Sequence, residues 1–141
     1  MFELDSLNQH HREFLDMIEE LRHLMGNDGG ELKADEVMEL ISHLNGQVMV
    51  HLTMEDRHVY PALMNSDDDH VREVASQFKS EIGGVFNAFQ IYRLKWSHTG
   101  QVIDDPEGFS ADTEKIFAIL NVRMAKEDKL LYPLIPSLQI G

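Results

Sequence analysis

The sequence predicts an all-α protein, a single domain over residues 1–141 folded as an up-down-up-down four-helix bundle. Four segments carry apolar residues at intervals of three and four, which is the spacing of an amphipathic helix. No segment alternates apolar and polar residues as a half-buried strand would. The connections are short, which favours antiparallel packing of neighbouring helices in a bundle.

The first two helices are defined by their apolar stripes. The first is predicted to end at Gly26-Asn27, a pair typical of a helix C-terminus, and the second at the turn over residues 65–69. The inward positions of the first helix are Leu4, Leu7, His11, Phe14, Ile18, Leu21 and Met25. Those of the second are Val37, Ile41, Leu44, Val48, His51, Glu55, His58 and Ala62. Three consecutive inward positions of the second helix are therefore ionisable.

The third and fourth helices complete the bundle. Gly83-Gly84 interrupts the third helix, at a cost of about 1 kcal/mol each relative to Ala. A loop with Gly100, Pro106 and Gly108 follows, Ser110 is the predicted N-cap of the fourth helix, and Pro133 and Pro136 end it. The third stripe is Val71, Ala75, Phe78, Ile82, Val85, Phe89, Tyr92 and Trp96. The fourth stripe is Ile116, Leu120, Arg123, Glu127, Leu130 and Leu134.

Composition and charge exclude several classes of function. The net charge of −13 disfavours nucleic-acid and anionic-membrane partners, whose phosphates would be repelled. The absence of cysteine excludes disulfides and thiolate metal ligands. The N-terminus lacks the pattern of a signal peptide, and no apolar run is long enough to span a bilayer. We therefore expect a cytoplasmic protein.

The second and fourth helices share an internal repeat. Residues 51–61 and 123–133 carry Glu, Asp, Tyr and Pro at equal offsets. Such a repeat suggests two helical hairpins related by a pseudo-twofold axis. Glu55 and Glu127 are then expected to face each other across the core, with His11 at the same level.

Buried carboxylates beside imidazoles indicate a metal site, because a buried charge is costly unless it is paired, protonated or bound to metal. Imidazole and carboxylate without thiolate suit Fe(II), Mn(II) or Zn(II). The predicted ligands are His11, His51, Glu55 and Glu127, with His58 and Glu81 as further candidates. The alternatives are a buried His51–Glu55 ion pair and a pair between Glu127 and Arg123. The remaining histidines, including His10, are predicted to lie on the surface.

The run His51-x-x-x-Glu55-Asp56, with Tyr60-Pro61 after it, resembles the signature of the hemerythrin-like HHE cation-binding family. Residues 9–13, Gln-His-His-Arg-Glu, resemble the first-helix histidine motif of that family. The resemblance implies a non-haem di-iron centre inside a four-helix bundle. It also implies roles in oxygen binding, nitric-oxide response or iron handling.

The second hairpin departs from the family pattern. Arg123 and Ile82 stand where the resemblance implies histidine ligands. The sequence therefore predicts one metal ion rather than two, held by the four ligands named above, with Arg123 beside the lost second position. His58 or Glu81 would have to supply the missing ligands of a second ion.

Three functions are consistent with these residues. The favoured one is an iron-binding protein, with zinc or manganese as alternative ions and a diatomic molecule such as oxygen or nitric oxide as ligand. The second is a metal-free interaction or regulatory module, whose protein partner the sequence does not identify. The third is a mononuclear iron enzyme. The sequence contains neither a nucleophile–base pair nor a phosphate-binding loop, the features that would favour an enzyme.

Overall fold

The structure, a computed structural model, describes residues 4–26 and 32–138, and no strand occurs among them. The all-α class is therefore confirmed. None of the helices in these two ranges is long and apolar enough to cross a membrane. The α-helices are α1 (Leu4–Leu24), α2 (Ala34–Met54), α3 (Tyr60–Met64), α4 (Asp69–Ile82), α5 (Val85–Lys95), α6 (Thr99–Asp104) and α7 (Pro106–Lys126).

Two π-helical turns continue α2 and α7. Glu55–Val59 joins α2 to α3, and Glu127–Leu131 joins α7 to a 3₁₀ segment, Tyr132–Leu138. In each turn the tyrosine N–H bonds to the carbonyl of the glutamate five residues earlier. A tyrosine-proline pair follows both turns. In a regular α-helix the proline ring would collide with the carbonyl four residues earlier, and a wider turn relieves that collision.

The π turns shift the buried face of the chain by one residue. After Glu55 the next buried side chain is Val59, and after Glu127 it is Leu131. The prediction that His58 and Leu130 face inward is wrong, because both are exposed. A regular period of 3.6 residues places the inward stripe one position too early once the turn widens.

The observed helix ends agree only in part with those predicted from the sequence. Gly26 follows α1 with a φ of 82°, as the predicted stop requires, whereas Asn27 lies outside the described residues. Gly83-Gly84 does separate α4 from α5. The N-cap of α7 is Asp105, which accepts a hydrogen bond from the Gly108 N–H at 2.9 Å, and not Ser110.

Three prolines occupy positions other than those predicted: Pro106 was expected in a loop, and Pro133 and Pro136 at the end of the fourth helix. Pro106 is the first residue of α7, a position where its missing N–H costs nothing. Pro133 and Pro136 lie inside the 3₁₀ segment rather than after the end of a helix. The predicted loop before Pro106 also contains α6.

The core consists of two apolar clusters with a polar layer between them. Helix α1 packs on α2, α5 on α2 and α7, and α4 on α3. On α1, His11 falls between Leu7 of one cluster and Phe14 of the other. Going along α2 and α7 into their π turns, the chain passes from the Phe14 cluster through ionisable residues to the Leu7 cluster. The fold thus places ionisable side chains between two apolar clusters, where α2 and α7 pass into their π turns.

Candidate metal centre

Four of the predicted ligands converge in the polar layer. His11 comes from α1, His51 from α2, and Glu55 and Glu127 each begin a π turn. Each side chain offers one nitrogen or oxygen atom, and these four atoms all lie within 4.8 Å of one another. All four residues are buried, with Glu55 at 0% exposure.

Each histidine lies beside one carboxylate. The Nε2 atom of His11 lies 3.3 Å from Oε1 of Glu127, and the Nε2 atom of His51 lies 3.3 Å from Oε1 of Glu55. Both imidazoles therefore direct a ring nitrogen toward the same point as the carboxylates. Two imidazole nitrogens with two carboxylate oxygens form a donor set that fits a divalent first-row ion.

Arg123 connects the two carboxylates. Its Nη2 donates to Oε1 of Glu55 at 3.2 Å, and its Nε donates to Oε2 of Glu127 at 3.3 Å. Nη2 also donates to Asp56 at 3.2 Å. Burial by itself would lower the pKa of Arg123, but the negative charges of Glu127 and Glu55 outweigh it and raise the pKa. The guanidinium is therefore a permanent positive charge inside the core.

The two repeat tyrosines exchange partners across the site. Tyr60 follows Glu55 in sequence but donates to Oε2 of Glu127 at 3.1 Å. Tyr132 follows Glu127 but donates to Oε2 of Glu55 at 2.6 Å. In the metal-free protein, burial, followed by the nearby carboxylates, raises the pKa of both hydroxyls far above the ordinary value, so both are protonated in that state. This reciprocal pair of contacts is consistent with the pseudo-twofold relation that the internal repeat suggested.

Outer hydrogen bonds hold both histidine rings. The Nδ1–H of His11 donates to Asp128 at 2.8 Å, an arrangement that leaves Nε2 facing the site. Nδ1 of His51 lies 2.9 Å from Nδ1 of His10, and one of the two nitrogens donates to the other. Metal ligation by Nε2 of His51 requires the proton on its own Nδ1, so that His10 accepts.

His10 was predicted to lie on the surface, and that prediction is wrong. Its ring is half-buried and contacts His51 and Phe14. The apolar stripe of α1 does not predict this position, because His10 lies next to the stripe and its ring extends from there to His51 and Phe14. Its position directly before His11, in the motif of residues 9–13, is the one sequence feature that could have indicated the contact.

The protonation states follow from burial and charge. Burial, reinforced by His11, lowers the pKa of His51 to about 4, so this ring is neutral at physiological pH. For His11, burial would lower the pKa, but Glu127 and Asp128 raise it above the ordinary value. Burial and then Glu55 raise the pKa of Glu127. In the metal-free protein, a proton shared by His11 and Glu127 thus offsets part of the negative charge, and a cation would replace it.

The other two candidate ligands lie elsewhere. His58 is exposed on the first π turn, for the reason given above. Glu81 is 47% exposed and accepts hydrogen bonds from Lys126 at 3.4 Å and from Gln77 at 3.3 Å. The structure therefore does not bring either residue to the four-residue cluster. The side chain of Ile82 lies outside the described part of the chain.

Comparison with known proteins agrees with this arrangement. The family model described as the hemerythrin HHE cation-binding domain matches residues 3–135. Neither the curated proteins nor the solved structures gave a significant match. The match covers nearly the whole chain and includes every residue of the cluster. This chain belongs to the hemerythrin HHE cation-binding domain family.

Proposed function

We propose that this protein binds one iron ion between His11, His51, Glu55 and Glu127, within a cytoplasmic up-down-up-down four-helix bundle. The observation that carries the proposal is the convergence of four buried donor atoms within 4.8 Å. Two buried carboxylates this close together are costly unless both charges are offset, and Arg123 supplies only one positive charge. The family to which the chain belongs is one of cation-binding domains.

One ion, rather than two, is favoured by Arg123. Its guanidinium lies within 3.3 Å of both carboxylates. A second ion in that region would have to displace a buried positive charge. Arg123 is the residue of the second repeat that corresponds to His51 of the first, and its guanidinium offers no lone pair to a metal.

The proposed role is an oxygen or nitric-oxide response, or iron handling. Bound iron with an open coordination position supplies affinity for a small diatomic molecule. The protein residues supply the setting: the apolar clusters around Leu7 and Phe14 exclude water, and Asp128 and His10 fix the rings of His11 and His51. The hydroxyls of Tyr60 and Tyr132 donate to Glu127 and Glu55 in the polar layer between these clusters.

Metal analysis of untagged protein tests the proposal. We expect about one iron per chain in the wild type and in His58→Ala, and close to none in His51→Ala. His58 is the matched control because it is exposed two turns along the same helical segment. A content below about 0.2 metal per chain in iron-replete wild type contradicts the proposal. Two irons per chain, with the near-ultraviolet absorption of an oxo-bridged pair, contradict the single-ion form.

The second candidate function is a metal-free interaction or regulatory module. Arg123 favours it, because its contacts with Glu55 and Glu127 partly satisfy both carboxylates without a metal. The same metal analysis separates the two functions, since the module requires wild type and His51→Ala to be equally free of metal.

A further inference from the structure

The hydroxyl oxygen of Tyr132 lies at the centre of the candidate metal site. It lies 2.8 Å from Nε2 of His11 and 3.3 Å from Nε2 of His51. It also lies 2.6 Å from Oε2 of Glu55 and 3.5 Å from Oε1 of Glu127. A single phenol oxygen is thus within hydrogen-bonding range of all four residues that converge there.

Tyr60, its partner in the sequence repeat, lies differently. The Tyr60 hydroxyl donates to Glu127 at 3.1 Å, and the guanidinium of Arg123 lies over its ring at 5.5 Å. Tyr60 is therefore on the arginine side of the carboxylates, whereas Tyr132 is on the histidine side, stacked on His11 with ring centroids 5.0 Å apart. The repeat makes the two tyrosines alike in burial but unlike in their access to the four donors.

We propose that Tyr132 is a fifth protein ligand, binding the metal through its phenolate oxygen; this inference rests on the proposed function. An ion at the centre of the four donors would need the phenol oxygen to withdraw by about one metal–oxygen bond, roughly 2 Å. The stacking of the ring on His11 keeps the phenol on the histidine side of the site during such a movement.

Charge balance supports phenolate rather than phenol as the ligand. The fully buried charges are those of Glu55, Glu127 and Arg123, because Asp56, which also pairs with Arg123, is 37% exposed to water. A divalent ion with a neutral phenol therefore leaves one positive charge in excess among the buried groups. Loss of the phenol proton to solvent removes that excess. In this step the O–H bond of Tyr132 breaks, an oxygen–metal bond forms, one proton is released and no electron is transferred.

The test compares wild type, Tyr132→Phe and Tyr60→Phe after loading with iron. Metal content is measured first, and each protein is then oxidised with ferricyanide and its visible absorption recorded. A phenolate bound to Fe(III) gives a charge-transfer band in the visible range. We expect the band in wild type and Tyr60→Phe and its loss in Tyr132→Phe. The affinity of Tyr132→Phe for Zn(II), measured by chelator competition, should fall by about tenfold or more.

The outcomes separate this inference from the proposed function. Wild type without bound metal overturns both. Wild type with about one iron but no visible band, and with Zn(II) affinity equal to that of Tyr132→Phe, overturns phenolate ligation and leaves the metal site standing. Resonance Raman spectra of ferric wild type provide a measurement that does not depend on the folding of a variant. Enhanced tyrosinate ring modes are expected, and their absence contradicts the inference.

Discussion

Replacement of Arg123 by Met should destabilise the metal-free protein by about 3–5 kcal/mol. Arg123 is 1% exposed and holds the only guanidinium that lies within 3.3 Å of Glu55 and Glu127 in the described part of the chain. Its loss leaves two buried carboxylates beside each other without that countercharge. Urea denaturation with a chelator present measures the free energy of unfolding.

Arg22→Met is the matched control for this effect. Arg22 pairs with Glu114 at 3.0 Å, but the two side chains are 42% and 39% exposed. An ion pair in such contact with water contributes about 1 kcal/mol or less. Divalent metal should also stabilise Arg123→Met more than wild type, since the ion supplies the missing positive charge. Equal losses in the two variants would show that the carboxylates do not need Arg123. The absence of metal-dependent recovery would show that a divalent ion does not supply the missing positive charge.

Acid should destabilise the metal-free wild type through His51. Its folded-state pKa of about 4 lies below the ordinary value of 6.5, so unfolding takes up a proton between these pH values. Stability therefore falls as the pH is lowered from 6.5 to 4. The expected contribution is about 3 kcal/mol, at roughly 1.4 kcal/mol per pH unit. Between pH 6.5 and 4, the unfolding free energy of wild type should therefore fall by about 3 kcal/mol more than that of His51→Gln.

The comparison isolates His51 from its neighbours. The raised pKa of His11 contributes stability that is present below pH 6.5 and is lost only as the pH rises through its folded value. Glu127 titrates in both proteins and largely cancels in the difference. His43→Gln, a change at an exposed histidine of α2, should keep the wild-type slope. Parallel curves for wild type and His51→Gln would mean that His51 is not held neutral by burial.

Helical periodicity was sufficient to predict the class of fold and four of the converging residues. On α1, every residue of the predicted stripe from Leu7 to Met25 is buried, and the stripe of α4 and α5 is buried at each position that the structure describes. A regular period of 3.6 residues holds over these helices, so the inward face follows from the sequence.

Periodicity failed where the backbone departs from the regular helix. His58 and Leu130 were predicted to face inward because a regular period was carried through the π turns. The Tyr-Pro pairs after both turns are the sequence feature that indicates a departure from the regular helix. In a regular α-helix the proline ring would collide with the carbonyl four residues earlier. The central position of Tyr132 could not be predicted either. It depends on the widened turn and on contacts across the core, which sequence spacing does not encode.

Anomalous scattering from a crystal of the iron-loaded protein, measured at the iron edge, tests most directly whether His11, His51, Glu55 and Glu127 hold the ion. We expect one strong peak at bonding distance from Nε2 of both histidines and from an oxygen of each glutamate, about 2.0–2.2 Å. Iron located only at exposed histidines such as His43 or His70, or no peak in the polar layer of iron-replete protein, would contradict the metal site.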